Sequence, residues 1–155
     1  MPDIGTDGAI RMRRVLRAPI AVVFDALVRP ELLQRWMCPT NFTVAKVEAD
    51  ARPGGRFRIE MLKPDGTLHP ASGTYTEVAA PNVLAFTWTW DMAQHSMSGI
   101  ETNIRIELTA QGRDTTHLLM THSGLPNDDE RVNHDKGWTS VLDNLERLYE
   151  ARSPS

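Results

Sequence analysis

The sequence predicts an α+β protein: a curved antiparallel sheet of about six strands closed by one long C-terminal helix, with two short helices after the first strand. Three observations carry this. Residues 127–152 place Trp138, Val141, Leu142, Leu145, Leu148 and Tyr149 at three- and four-residue steps, while Asp135, Lys136, Asp143, Asn144, Glu146, Arg147 and Glu150 take the other side. That one-sided stripe is the mark of an amphipathic helix. Residues 41–123 switch to a period of two, interrupted by turns rich in Pro, Gly, Asn and Asp, as strands and hairpins require. Strands joined by short turns pair as neighbours, and a run of strands followed by a helix gives segregated layers.

Taken in order, residues 1–8 are polar and glycine-containing and read as a frayed end, so the expected ordered part of a single domain is roughly 9–152. Residues 10–17 read as the first strand. Pro19 then favours a first helical turn, and Val23, Phe24 and Leu27 form a short apolar stripe. Pro30 ends that helix and starts a second, in which Leu32, Leu33 and Trp36 repeat the stripe. In residues 56–61, Phe57, Ile59 and Met61 face one way and Arg56, Arg58 and Glu60 the other. Residues 67–78 continue the meander, and Gly73 within them suggests a bulge or sharp bend. Residues 83–91 align Leu84, Phe86, Trp88 and Trp90 against Thr87 and Thr89, whereas 92–99 has no period and forms a loop that could rim or cover a cavity. Residues 100–109 set Ile104, Ile106 and Leu108 against Asn103, Arg105 and Glu107, and 115–123 make the last strand. Asn127 is placed to cap the final helix with Glu130 as its capping-box partner. Gly137 costs about 1 kcal/mol in a helix interior, so the sequence predicts another backbone passing close to it.

Composition excludes several classes. The 155 residues are 41% hydrophobic and 24% charged with a net charge of −3, which suits one soluble domain and argues against a nucleic-acid surface. Cys38 is the one cysteine, so there is no internal disulfide framework. No run is long and apolar enough for membrane insertion, and the opening residues lack the order of an export signal; the sequence predicts a cytoplasmic protein. No metal, phosphate-loop or nucleophile-elbow motif appears, so no metal and no cofactor is expected. Of the five histidines, His117 and His122 lie five apart on one strand and face opposite ways. Asp128, Asp129 and Glu130 answer the dipole of a first helical turn.

The inward side therefore collects Phe57, Ile59, Met61, Phe86, Trp88, Trp90, Ile104 and Ile106 from the sheet, and Phe24, Leu27, Trp36, Trp138, Val141 and Leu142 from the helices. One helix stripe does not by itself fill a wide concave sheet. Either the side chains close into a solid core or they line a cavity. His134 shares the Trp138 stripe and can point into the mouth of such a cavity, or stand partly exposed near the start of the helix. Tyr75, Glu77, Thr121 and His122 are further polar candidates whose parity depends on the register after Gly73.

Several segments resemble a known family: Pro30-Glu31-Leu32-Leu33-Gln34-Arg35-Trp36-Met37, Pro53-Gly54-Gly55-Arg56-Phe57-Arg58-Ile59-Glu60-Met61, Gly73-Thr74-Tyr75-Thr76-Glu77-Val78 with Pro81 and Leu84-Ala85-Phe86-Thr87-Trp88, and Gly137-Trp138 with Leu142 and Leu145. In that order they resemble the SRPBCC superfamily of START-like, birch-pollen-allergen-like domains, on the branch related to the activator of the heat-shock protein ATPase. The resemblance runs from about Met12 to Leu148. It implies a helix-grip fold, with a hydrophobic cavity between the sheet and the long helix, and a single START-like domain over 1–155. Three functions follow as expectations. The first is binding of a small hydrophobic or amphipathic ligand, the cavity being lined by the sixteen residues Phe24, Leu27, Trp36, Phe57, Ile59, Met61, Tyr75, Phe86, Trp88, Trp90, Ile104, Ile106, His134, Trp138, Val141 and Leu142. The second is a cyclase- or hydrolase-type enzyme using His134 and a cavity carboxylate as acid and base. The third is a chaperone contact or other protein-interaction role for a monomer or homodimer. Fold does not choose among them.

Overall fold

The computed structural model describes residues 8–92 and 95–150. The opening segment 1–7, two residues of the aperiodic loop (93–94) and the segment 151–155, which includes the expected last turn of the helix, lie outside the described residues. The elements are β1 (Ile10–Leu16), α1 (Ile20–Val28), α2 (Pro30–Trp36), β2 (Thr43–Ala49), β3 (Arg56–Leu62), β4 (Leu68–Ala79), β5 (Val83–Trp90), β6 (Thr102–Ala110), β7 (Thr116–Ser123) and α3 (Asp128–Glu150). All strand pairs are antiparallel, in the order β1-β7-β6-β5-β4-β3-β2. The expected six-strand meander is β2 to β7. The sheet has seven strands because β1 also pairs with β7, from Ile10 opposite His122 to Leu16 opposite Thr116.

Alternation decides which face is covered. Phe57, Ile59 and Met61 on β3, Leu84, Phe86 and Trp88 on β5, and Ile104, Ile106 and Leu108 on β6 are all buried. The charged residues on the other face meet water and pair with one another, Arg105 with Glu77 at 2.7 Å and Arg58 with Asp91 at 3.2 Å, whereas Thr87 is buried. Exposed pairs of this kind contribute little to stability, so the apolar inner face carries the fold. α3 buries Trp138, Val141, Leu142, Leu145 and Tyr149 against that face. Each such large side chain contributes about 1.5–3 kcal/mol by leaving water.

The helices meet at defined points. Trp36 Nε1 donates to the Ala26 carbonyl at 2.8 Å, which fixes α2 against α1. The connector after α2 is tied to α3: Asn144 Nδ2 donates to the Cys38 carbonyl at 2.7 Å, and the Thr40 amide donates to Ser140 Oγ at 2.6 Å. Asn127 Oδ1 accepts from the Glu130 amide at 2.9 Å and caps α3 as expected. The reciprocal half of the capping box is replaced by a different contact, because the Glu130 carboxylate accepts from Ser96 Oγ at 2.7 Å. Loop residues 95–99 are thereby drawn onto the start of the helix.

Two glycines behave differently from expectation. The extra residue in β4 is Thr76, between the Tyr75–Phe86 and Glu77–Ala85 pairs. Gly73 is not the bulge; it is where the backbone of β4 lies tight against that of its neighbour β5. A Cβ there would lie 1.9 Å from the Thr87 carbonyl oxygen and 2.6 Å from Phe57 Cε1. Gly137 has the opposite surroundings, since an added Cβ would meet nothing within 4 Å. No backbone approaches it. Gly73→Ala is therefore expected to lower the free energy of unfolding by about 2 kcal/mol or more, because overpacking against a fixed neighbouring backbone costs about 1–3 kcal/mol. A urea midpoint equal to that of the wild type would show that the strands part easily at this point.

Candidate functional site

Beneath the N-terminal half of α3 the sheet and helix leave a gap between their contacts. A cavity of about 220 Å³ opens there. Its walls come from every layer: Met61 on β3, Trp88 and Trp90 on β5, His122 on β7, and Glu130, Asn133, His134, Gly137, Trp138 and Val141 on α3. Met37 and Pro39 from the connector and His95 and Ser96 from the loop complete it. Gly137 helps make this space, because it brings no side chain to a wall it shares with Asn133, His134 and Val141. The indoles stand as props, with Trp88 and Trp90 centroids 5.3 Å apart in an edge-to-face contact and Trp88 and Trp138 6.2 Å apart. Such contacts between aromatic rings add to simple burial. No lysine or arginine is among the lining residues.

A second, smaller void of about 30 Å³ lies toward α2, lined by Leu27, Leu33, Trp36, Met37, Val47, Phe57, Ile59, Tyr75, Leu84, Phe86 and Ile106. The sixteen residues expected to line one cavity are thus divided. Met61, Trp88, Trp90, His134, Trp138 and Val141 lie at the larger space. Leu27, Trp36, Phe57, Ile59, Tyr75, Phe86 and Ile106 lie at the smaller one. Phe24, Ile104 and Leu142 border neither and are packed into the core.

The polar side chains of the larger cavity are mostly committed to one another. Trp138 Nε1 donates to His122 Nδ1 at 2.9 Å. His122 Nε2 lies 2.8 Å from Thr102 Oγ1, which in turn donates to the Trp88 carbonyl at 3.2 Å. With Nδ1 accepting and the threonine proton spent on the carbonyl, these partners assign the His122 proton to Nε2. His134 is held the other way round: Nε2 accepts from Trp90 Nε1 at 3.2 Å, and Nδ1 donates to the Glu130 carbonyl at 2.8 Å. Each imidazole uses both of its ring nitrogens. His95 stacks on Trp90 with centroids 4.8 Å apart and accepts from the Met97 amide at 2.9 Å. Trp88 Nε1 is buried without a hydrogen-bond partner among the described residues. An unmatched buried donor of this kind costs about 1–3 kcal/mol.

Of the polar candidates with undecided parity, Tyr75 and His122 point inward and Glu77 and Thr121 do not. Leu118 and Met120 are the inward residues of β7, and continuing that alternation two positions gives His122. His95 and Ser96 carry no such signal, because their loop has no period. Among the described residues no group of three or more His, Cys, Asp or Glu could hold a metal ion, and no helix is long and apolar enough to cross a membrane.

Burial, with a smaller contribution from the neighbouring His134, pushes the His122 imidazole down from 6.5 to about 3. Burial likewise lowers His95, opposed by the nearby Glu130 carboxylate. For His122 the unfolded chain takes up the proton first, so its contribution to stability is complete above pH 6.5 and is lost as pH falls toward about 3. In that window the free energy of unfolding is expected to drop by up to about 1.4 kcal/mol per pH unit. The His122→Gln variant should lack that component. Equal slopes for wild type and variant between pH 6.5 and 4, in urea titrations, would show that His122 is protonated freely in the folded state.

The profile of the family described as Activator of Hsp90 ATPase homolog 1-like protein matches residues 17–150. A protein of solved structure from Chromobacterium violaceum is 30% identical with a TM-score of 0.78, covering 95% of this chain and 99% of its own. One from Nitrosomonas europaea is 26% identical with a TM-score of 0.77 over 96% of this chain and 98% of its own. An AHSA1 protein from Silicibacter pomeroyi, at 24% identity, shares the fold with a TM-score of 0.83, covering 94% of this chain and 99% of that one. Among curated proteins none matches the chain. With the profile spanning α1, α2, the meander and α3, the chain belongs to the Activator of Hsp90 ATPase homolog 1-like family, a branch of the SRPBCC superfamily.

Proposed function

We propose that the protein binds a small hydrophobic or amphipathic molecule in the cavity between the sheet and the N-terminal half of α3. The observation that carries this is the cavity itself: about 220 Å³, walled by three indoles, Met61 and Val141, with polar groups gathered at Glu130, Asn133, His95 and Ser96. An apolar cavity of about 150 Å³ is sufficient for benzene, so the space suits a substituted ring or a short branched chain. Apolar walls with a few placed polar groups are the usual form of a small-molecule site. The charge at the rim disfavours anionic guests, since Glu130 is the charged residue there and no cation lines the cavity.

Acid–base catalysis draws less support. His134 has no free nitrogen with which to accept a substrate proton, and one oxygen of the Glu130 carboxylate already accepts from Ser96. Contact with the heat-shock ATPase rests on the family description, and stimulation of that ATPase by the purified chain is the assay that bears on it. We place the protein in the cytoplasm on the composition of its sequence.

Ligand binding is tested by thermal unfolding against a panel of neutral phenols, indoles, short alkanols and fatty acids. A guest held only by the folded state and present at a hundred times its Kd raises stability by about 2.7 kcal/mol. At least one neutral aromatic is expected to raise Tm. The Gly137→Leu variant should be folded and at least as stable, because leucine is a far better helix former than glycine, yet should lose the shift as its side chain enters the cavity. No shift with any compound, or an undiminished shift in Gly137→Leu, would remove the cavity as the binding site.

A further inference from the structure

The larger and smaller voids have one lining residue in common, Met37. On one side of it lies the indole-walled cavity, and on the other the narrow space bounded by Leu27, Phe57, Tyr75 and Phe86. We infer that Met37 is a gate between the two, and that the position of its side chain sets how long a guest the protein can take. This rests on the proposed binding function and goes further by naming the guest: a neutral molecule with a polar head and an unbranched apolar tail. The head stays at the rim, beside Glu130, Ser96 and Asn133, and the tail is directed through the indole cavity toward Met37.

The local structure suits a gate whose frame is fixed and whose side chain is not. Met37 closes α2, with its amide donating to the Leu33 carbonyl at 2.9 Å. The next residue is held twice: the Cys38 amide donates to the Trp36 carbonyl at 2.8 Å, and the Cys38 carbonyl accepts from Asn144 on α3 at 2.7 Å. The backbone therefore does not move with a guest. The side chain is buried, unbranched and has three rotatable bonds, so it can adopt other shapes that a leucine or phenylalanine could not. Displacing it joins the two voids into one channel. The far end of that channel is apolar apart from the Tyr75 phenol, which burial and the nearby Asp50 hold neutral, with its pKa raised to about 12. Such an end accepts hydrocarbon and rejects charge.

The test is calorimetric titration of wild type, Met37→Ala and Met37→Phe with para-alkylphenols whose tails run from methyl to heptyl. In the wild type, affinity should rise with tail length and then level off where the tail meets Met37. In Met37→Ala the rise should continue, each further methylene admitted tightening binding about fourfold. In Met37→Phe it should stop earlier, so that the tail length at which affinity levels off rises in the order Met37→Phe, wild type, Met37→Ala. Should Met37→Ala not fold, the earlier limit in Met37→Phe decides. The same length profile in all three proteins, with para-cresol bound, overturns the gate and leaves the cavity standing. Failure of the wild type to bind any member overturns the binding function and the gate together.

Discussion

A relay of hydrogen bonds from helix to sheet sets the architecture. Trp138 on α3 donates to His122 on β7, His122 donates to Thr102 on β6, and Thr102 donates to the backbone of Trp88 on β5. All three side chains are buried, at 6%, 0% and 1% exposure, so no water can substitute for a missing partner. A buried polar chain whose members are all satisfied is rigid and directional, and breaking one link strands donors and acceptors elsewhere in it. The relay works only with a neutral imidazole carrying its proton on Nε2. Burial, the main reason the His122 proton affinity falls, keeps the ring in that state. The relay also fixes the height of α3 above the sheet at the level of Trp138, the residue next to the glycine that leaves space.

On the N-terminal side of that point the helix is propped rather than packed. Trp90 holds His134, Ser96 holds Glu130, and His95 lies flat on Trp90. These contacts form a rim around the cavity and do not fill it. On the C-terminal side, Leu142 and Leu145 are fully buried and Tyr149 nearly so, and packing is continuous. One helix thus has two regimes, and the change falls between Gly137 and Leu142. The connector after α2 spans both, being bonded to α3 at Ser140 and Asn144.

Much of this was legible in the sequence wherever periodicity decides it. The alternation in β3, β5 and β6 placed Phe57, Trp88 and Ile104 on the covered face, and the stripe of α3 placed Trp138 and Leu145 there too. Position along the layer was less legible. Phe24, Ile104 and Leu142 share a face with the cavity residues yet border neither void, because a face says which way a side chain points and not what stands opposite. The two glycines show the same limit. Gly73 and Gly137 are both glycines inside regular elements; one lies against a carbonyl oxygen and the other beside a void, a difference made by chain segments far away in sequence. His122 was within reach, since the alternation of Leu118 and Met120 runs directly to it. His95, Ser96 and Met97 were not, because an aperiodic loop takes its place from tertiary contacts, here a stacked indole and a helix-start carboxylate.

The persistence of the space needs a physical reason. Leaving a buried volume unfilled forfeits about 24 cal/mol per Å³, so a cavity of about 220 Å³ corresponds to about 5 kcal/mol. That is an upper figure, since the rim is polar and open to water. Even a fraction of it is large beside the 5–15 kcal/mol by which domains of this size are stable. A side chain at Gly137 would recover part of it and improve the helix at once, with nothing within 4 Å to obstruct its first carbon. A chain under selection for stability alone would take both gains. Keeping a glycine there, in a wall shared with three indoles and near a buried Trp88 donor that no described group meets, accords with the binding proposed above.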